Sequence, residues 1–315
     1  MSLAVACLLL IISAAYSVSF NRIVYPIDTK DSSGYVLHQE AAPLRIVSAS
    51  PAITEILFAY NIGDRVVGVT GKSDYPEEAK KIEKVGGDRL DNGKVLKLQP
   101  DLVLVNISDK NADLDALRKM KFTQTVSGET RQMTLEVFAV DPRSMRDVFS
   151  NLFTIGTVTN REHAAYSLTQ RMRRSLDWVE ARAKNEKTYR RMRALLLVSK
   201  SPVIVAAEDT YQADLLRLAG LVNVAPAATG YVKMERKDIE KADPDVIIAS
   251  DDLARDPKDI WGNRNFRKTS AGKNKRAVCI DSALLRRPGP RITQALEKIA
   301  AYTYGWSDAN EQTDE

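Results

Sequence analysis

One local pattern is written twice in this chain and limits what it can become. Leu98-Gln99-Pro100-Asp101-Leu102-Val103-Leu104 and Ala242-Asp243-Pro244-Asp245-Val246-Ile247-Ile248 both read as a helix end, a Pro-Asp turn and an apolar strand. Short unbroken apolar runs of this kind belong to strands covered on both faces, as in parallel sheets flanked by helices. Two copies imply two α/β lobes. Between them, Ser144 to Arg191 holds no proline and only Gly156, with apolar residues at three-to-four spacing: Val148, Leu152 and Ile155, then Tyr166, Leu168, Met172, Leu176 and Val179. That spacing predicts helices, and a long helical piece over about Arg161 to Lys187 reads as a rigid connector. The expected fold class is α/β: two Rossmann-like lobes, one long connector helix and a ligand cleft between the lobes.

The densest information lies in Leu44 to Ser108. Arg45 to Ser48 is an expected strand, and Ser50-Pro51 opens a helix, serine at the cap and proline at the first turn. Ile53, Ile56, Leu57 and Tyr60 follow at helical spacing. Further strands are expected at Arg65 to Val69, leading into the loop Thr70 to Pro76, and at Leu102 to Val105. Three strand ends deliver polar loops to one sheet edge, where open α/β sheets hold ligands. Asp113 to Lys121 reads as a helix feeding a strand near Phe122 to Val126. In the second half, strands are expected at Ala194 to Ser199 and Val203 to Ala206, and a helix from Thr210 that stops at Gly220.

The division expected is a signal peptide over 1–17, an irregular lead-in over 18–43 with a hairpin around Asp31-Ser32-Ser33-Gly34, an N-terminal lobe over 44–140, a helical connector over 141–191, a C-terminal lobe over 192–306 and a disordered tail over 307–315. Leu3 to Ala15 is uninterrupted apolar sequence, shorter than the roughly 20 residues of a membrane span. Small residues at Ala15 and Ser17 fit cleavage on export. The apolar run continues past Cys7, which argues for cleavage over lipid attachment. A mature chain then keeps Cys279 alone, in the apolar run Arg276 to Ile280, with no intramolecular disulfide.

With 315 residues, 44% apolar content and 28% charged residues, the chain can bury two cores. The net charge of +5 is spread without a long basic run, so nucleic acid is not an expected partner. Two histidines do not make a zinc cluster. The chain has no glycine-rich phosphate loop, no Gly-x-Ser-x-Gly elbow and no paired-cysteine pattern. It reads as a binding protein and not an enzyme.

In order, RIVSASPAITEILFA, GDRVVGVT, SDYPEEAKKIEKVGG, LQPDLVLVN, DLLRLAGLVNVA, ADPDVIIAS, TSAGKNKRAV and RRPGPRITQALEKIA resemble the periplasmic solute-binding proteins of the helical-backbone class. These feed ABC importers of iron chelates, haem or corrinoids, and the resemblance spans about Leu44 to Trp306. It implies a periplasmic monomer that hands a small molecule to a permease and ATPase complex in the inner membrane, with no covalently bound cofactor. The function it implies is capture of a ferric siderophore or haem. Alternatives are a corrinoid for a vitamin B12 importer, or a surface protein that has lost permease docking.

By the same resemblance Tyr75 and Tyr231 carry over from the corrinoid branch, whereas Asp88 and Asn106 stand where that branch has tryptophans. The haem branch is similar in the second half, but Gly87 stands where it has an axial tyrosine, and Arg89 remains. His38 and His163 are not expected to bind iron. A ferric siderophore would be held by cations, with Arg89, Lys233, Arg286 and Arg287 as candidates. The cleft is expected to be lined by Ser50, Pro51, Tyr75, Arg89, Asn106, Tyr211, Tyr231 and Arg287, with Arg291 in a structural pairing. Where the family has permease-docking glutamates this chain has Gly93 and Lys237; Asp91, Glu235 and Glu240 are the nearby substitutes.

Overall fold

The computed structural model describes residues 23–126, 129–185 and 192–306. The expected leader and the tail after Trp306 lie outside the described residues. Among the described residues no helix is long and apolar enough to cross a membrane.

The expected lead-in opens with a hairpin, β1 (Ile27–Lys30) against β2 (Val36–Gln39). Its turn is organised by Asp31, whose carboxylate accepts hydrogen bonds from Ser33 N and Oγ and from Tyr35 N at 2.8, 2.7 and 3.0 Å. That carboxylate also accepts from the Ala139 N–H at 3.0 Å and pairs with Arg118, so the hairpin is riveted to the N-terminal lobe.

The N-terminal lobe contains β3 (Ile46–Ser48), α1 (Pro51–Ala59), β4 (Val66–Val69), α2 (Asn92–Lys97), β5 (Leu102–Asn106), α3 (Leu114–Arg118), β6 (Lys121–Val126), β7 (Glu129–Thr134) and β8 (Val137–Val140). The sheet runs β4-β3-β5-β8, parallel throughout. The strand expected near Phe122 does not join it. Instead β6 and β7 form their own antiparallel hairpin, and β8 supplies the fourth strand.

The helical tract divides. Helix α4 (Met145–Val158) starts in a capping box between Ser144 and Asp147. It ends as Asn160 takes a left-handed conformation (φ 57°), and α5 (Glu162–Lys184) then runs for 23 residues, about 35 Å. Gly156 lets the two helices meet, since a Cβ there would lie 2.6 Å from that of Ala165.

The C-terminal lobe contains β9 (Arg193–Lys200), β10 (Val203–Ala206), α6 (Tyr211–Leu218), β11 (Val222–Asn223), β12 (Tyr231–Lys233), α7 (Arg236–Ala242), β13 (Val246–Ser250), β14 (Ala277–Ile280), α8 (Ser282–Arg286) and α9 (Ile292–Tyr304). Its sheet order is β12-β10-β9-β13-β14, with β11 also on β9. Here the two lobes differ. Only Ser201 and Pro202 separate β9 from β10, too few residues for a parallel crossover, so β10 returns antiparallel.

One continuous apolar core joins one face of each sheet through α1, α4, α5, α6 and α9, from Ile46, Leu57 and Phe138 to Leu196, Leu215 and Leu296. Each lobe adds a smaller core on its other face. The helical tract is therefore welded into both lobes. Arg182 adds a clasp near the chain's end, its guanidinium 4.3 Å from the Trp306 ring centroid and 5.1 Å from that of Trp178.

Candidate functional site

A cavity of about 340 Å³ lies between the lobes, at the low end of the roughly 300–1,000 Å³ typical of small-molecule sites. The parallel strands of the N-terminal sheet aim their ends at it. The loop after β3 brings Ser50 and Pro51, the loops after β4 bring Thr70, Lys72 and Asp88, and the turn after β5 brings Asp109 and Asn111. The C-terminal lobe closes it with Asp252, Ser282, Arg286 and Arg287. The Thr70 loop is held to α1 by buried hydroxyls: Thr54 Oγ1 donates to Ser73 Oγ at 3.1 Å, and Thr70 and Ser73 pair at 3.0 Å. Gly86 permits the next loop, at φ 149°, where a Cβ would meet the Arg89 carbonyl at 2.2 Å.

The cations of the cavity fall into two kinds. Lys72 pairs with Asp88 at 2.8 Å. Arg286, anchored by Ser250 Oγ at 3.1 Å and the Val198 carbonyl at 2.9 Å, pairs through its remaining nitrogen with Asp252 at 3.0 Å. Both carboxylates are well exposed, 88% and 44%. Exposed pairs are worth roughly 0–1 kcal/mol, so ligand oxygens can replace these carboxylates at little cost. Arg287 differs. Its guanidinium donates to Glu55 Oε1 at 3.1 Å, Asp74 Oδ1 at 2.7 Å and the Lys72 carbonyl at 3.1 Å. Glu55, on α1 with a side chain 2% exposed, also takes two bonds from Arg291, at 2.9 and 2.6 Å. Two arginines of the C-terminal lobe thus grip one buried carboxylate of the other lobe.

Asp74 shares in this grip. The Arg287 guanidinium holds its carboxyl below the ordinary aspartate value of 3.8. A depressed folded-state pKa stabilises above the unfolded value and loses that contribution as pH falls through the folded one. Wild type is therefore expected to unfold at higher urea than Asp74→Asn at pH 6. The two should converge when both are titrated well below pH 3.8. A gap that persisted in acid would assign the effect to something other than the Asp74 charge.

The expected lining residues do not all meet. Ser50, Pro51 and Arg287 line the central cavity, with Arg287 committed to the grip just described. Tyr75 faces a second cavity of about 750 Å³ with Phe58, Glu55 and Arg291, and the Arg291 guanidinium lies 3.8 Å from its ring centroid. Tyr231 borders a third, of about 240 Å³, and donates to Gln212 Oε1 at 3.1 Å. Tyr211 is buried at the start of α6, where burial pushes its phenol well up. Asn106 is also buried; it accepts from Ser108 N and donates to Asp109 Oδ1 at 2.9 Å, shaping the turn that presents Asp109. Arg89 is exposed and lines none of these cavities. Lys233 pairs with Glu235 at 2.7 Å on the surface.

Sequence reasoning missed Lys72, Asp109, Asn111, Asp252 and Glu55. The first three lie in polar loops directly after strands, the one signal that marks them. His38 sits on β2 between Asp28 and Glu40, which raise its pKa, away from the cleft. Among the described residues no group of three or more His, Cys, Asp or Glu is arranged to hold a metal ion.

Residues 46–284 match the periplasmic binding protein family. The chain belongs to that family. Its relatives include an uncharacterised ABC transporter substrate-binding lipoprotein of Bacillus subtilis, YvrC, 32% identical over 89% of this chain and 86% of the other. A vitamin B12-binding protein of Vibrio cholerae is 27% identical over 82% of this chain and 88% of its own. Among solved structures, a possible iron-binding periplasmic solute-binding protein of Staphylococcus epidermidis superimposes with a TM-score of 0.70 at 27% identity, covering 84% of this chain and all of the other. The haem-binding protein BhuT has the same fold, with a TM-score of 0.71 at 23% identity over 84% and 99% of the two chains.

In this binding protein, Gly93 and Lys237 occupy matching places, each the second residue of a helix, α2 in one lobe and α7 in the other. Both are exposed. Asp91 caps α2 by accepting from Lys94 N at 3.1 Å. Glu235 precedes α7 and pairs with Lys233, and Glu240 pairs with Arg236 at 2.7 Å.

Proposed function

We propose that this periplasmic binding protein captures an oxygen-rich ferric chelate in the central cleft and delivers it to an ABC permease. One observation carries the reading: among the described residues the cavity is lined by Lys72, Arg286 and Arg287, with Asp88, Asp109 and Asp252 between them, and by no aromatic, histidine, cysteine or methionine side chain. Charged oxygens are what such cations recognise, whereas a flat macrocycle gains most from aromatic walls. Lys72 and Arg286 are the exchangeable cations of the site. Binding is the whole of the activity, with no bond made or broken.

A corrinoid is the second reading, favoured by the B12-binding relatives and by the exposed Tyr75 beside the larger cavity. Haem is the third cargo; among the described residues no histidine, tyrosine, cysteine or methionine lines the central cavity. The reading places the protein outside the inner membrane, as a monomer reached through the leader over 1–17, with cleavage rather than lipid at Cys7. With Gly93 and Lys237 at the docking places, Asp91, Glu235 and Glu240 are the acids left nearby to meet a permease.

A thermal-shift panel of the leaderless protein tests this, using ferric catecholate, hydroxamate and citrate chelates, haem and cobalamin. A ligand at a hundred to a thousand times its Kd stabilises by roughly 3–4 kcal/mol. The largest shift is expected from a ferric chelate. A shift with cobalamin or haem alone would replace the proposal by that cargo, and no shift with a well-folded sample would sink all three.

A further inference from the structure

The N-terminal wall of the cavity carries a second chemistry that its cations do not explain. Ser50 is 1% exposed and borders the cavity, yet its Oγ makes no hydrogen bond of ordinary geometry. The Asp109 carboxylate is the one group that this hydroxyl approaches, and the hydroxyl helps to hold that charge. Its hydroxyl does not cap α1 either. Asn111 Oδ1 is buried without a partner, while its Nδ2 donates at 2.7 Å to the carbonyl of Ala49, the residue before Ser50. Asp109 lies on the same wall, beside the Ser50 hydroxyl, and takes one hydrogen bond from Asn106.

Charge pairing sets Asp109 apart. The other two carboxylates lining the cavity, Asp88 and Asp252, have Lys72 and Arg286. Among the described residues Asp109 makes no ion pair; the field of Lys72 reaches it, but that ammonium is engaged by Asp88. Burial pushes the Asp109 carboxyl up, as expected where a carboxylate lacks a counter-charge. Buried polar atoms without partners are rare in folded proteins, and each one costs about 1–3 kcal/mol. Two such atoms, Ser50 Oγ and Asn111 Oδ1, beside the exposed Asp109 carboxylate at one wall of a ligand cleft, mark where a ligand donates.

We propose that Ser50, Asp109 and Asn111 form an acceptor subsite that takes a protonated amine of the bound chelate. The subsite rests on the ferric-chelate reading and narrows it: the cargo is zwitterionic, with anionic oxygens facing Lys72 and Arg286 and an ammonium arm reaching Asp109. A guanidinium or ammonium satisfies all three acceptors at once; a carboxylate offers Asp109 and Asn111 no donor, and a neutral amide offers a single uncharged N–H.

The test compares two probes that differ at this amine alone: the ferric complex of desferrioxamine B, which ends in a free primary amine, and its N-acetylated form, in which a neutral amide replaces the ammonium. Calorimetric titration of wild type is expected to give about tenfold tighter binding of the free amine. That preference should fall to near unity in Asp109→Asn, whose fold is checked by its melting temperature, and shrink in Ser50→Ala. Equal binding of both probes to wild type would overturn the subsite and leave the chelate reading standing. If neither chelate binds, 1,5-diaminopentane alone decides: binding that Asp109→Asn abolishes keeps the subsite and removes the hydroxamate chelate, and absence of binding overturns the subsite.

Discussion

Glu55→Ala is expected to lower the free energy of unfolding by about 3–5 kcal/mol, because it strands two cations that the fold has paired. Arg287 and Arg291 have side chains only 15% and 16% exposed, and both direct N–H groups at the Glu55 carboxylate. Removing the acid leaves Arg291 with its contact to the Tyr75 ring and Arg287 with Asp74. Urea unfolding of the purified chain measures the loss. Adding Arg291→Met to Glu55→Ala should recover part of it, since the double variant no longer buries that uncompensated guanidinium. A loss under about 1 kcal/mol for Glu55→Ala would show that both arginines rehydrate freely and that the lobes are held by the shared apolar core alone.

Asp31→Ala carries the second large effect, also about 3–5 kcal/mol. Its side chain is fully buried and serves the turn of the first hairpin, the Ala139 N–H and Arg118 together. The substitution leaves the buried Ala139 N–H without an acceptor and the nearly buried Arg118 guanidinium with the Ser33 hydroxyl, at 3.1 Å, in place of a carboxylate. Arg118 retains its place over the Tyr35 ring, 4.2 Å from the centroid. Because the pairing joins the hairpin to β8, the expected signature is local as well as global. Hydrogen exchange should rise first in Ile27–Lys30 and Val36–Gln39, ahead of the parallel sheet. Uniform exchange across the lobe at an unchanged unfolding midpoint would show that the hairpin does not depend on this carboxylate.

Much of the fold was legible because it rests on periodicity. The Pro-Asp repeats, the apolar runs and the three-to-four spacing of Val148, Leu152 and Ile155 each depend on neighbours in sequence. What stayed hidden depends on distant partners. The edge hairpin β6–β7 has the residues of an ordinary strand pair, and nothing local says that it leaves the sheet. Asp31 looked like a turn residue in a loose lead-in until Arg118 and Ala139 were placed around it. The site was legible to the level of loops. Ser50 and Pro51 followed from strand-end logic, but Asp109 and Asn111 sit one turn past the point where attention stopped, at Asn106. The arginine-rich Arg286 to Arg291 read as ligand cations because a lone glutamate within Pro51-Ala52-Ile53-Thr54-Glu55 gave no local sign that it would be buried facing them. Arg291 alone was expected in a structural pairing, which it has.

The Glu55 cluster is also a partition. Arg287 borders the central cavity of about 340 Å³, while its partner Glu55 and Arg291 border the neighbouring one of about 750 Å³ with Tyr75. A cargo that drew Arg287 away from Glu55 would open one room into the other and gain an aromatic wall. A molecule larger than the central cavity would therefore have to displace Arg287 from Glu55, Asp74 and the Lys72 carbonyl together. Narrow cargo leaves the wall standing; bulky cargo must spend part of its binding energy to take it down.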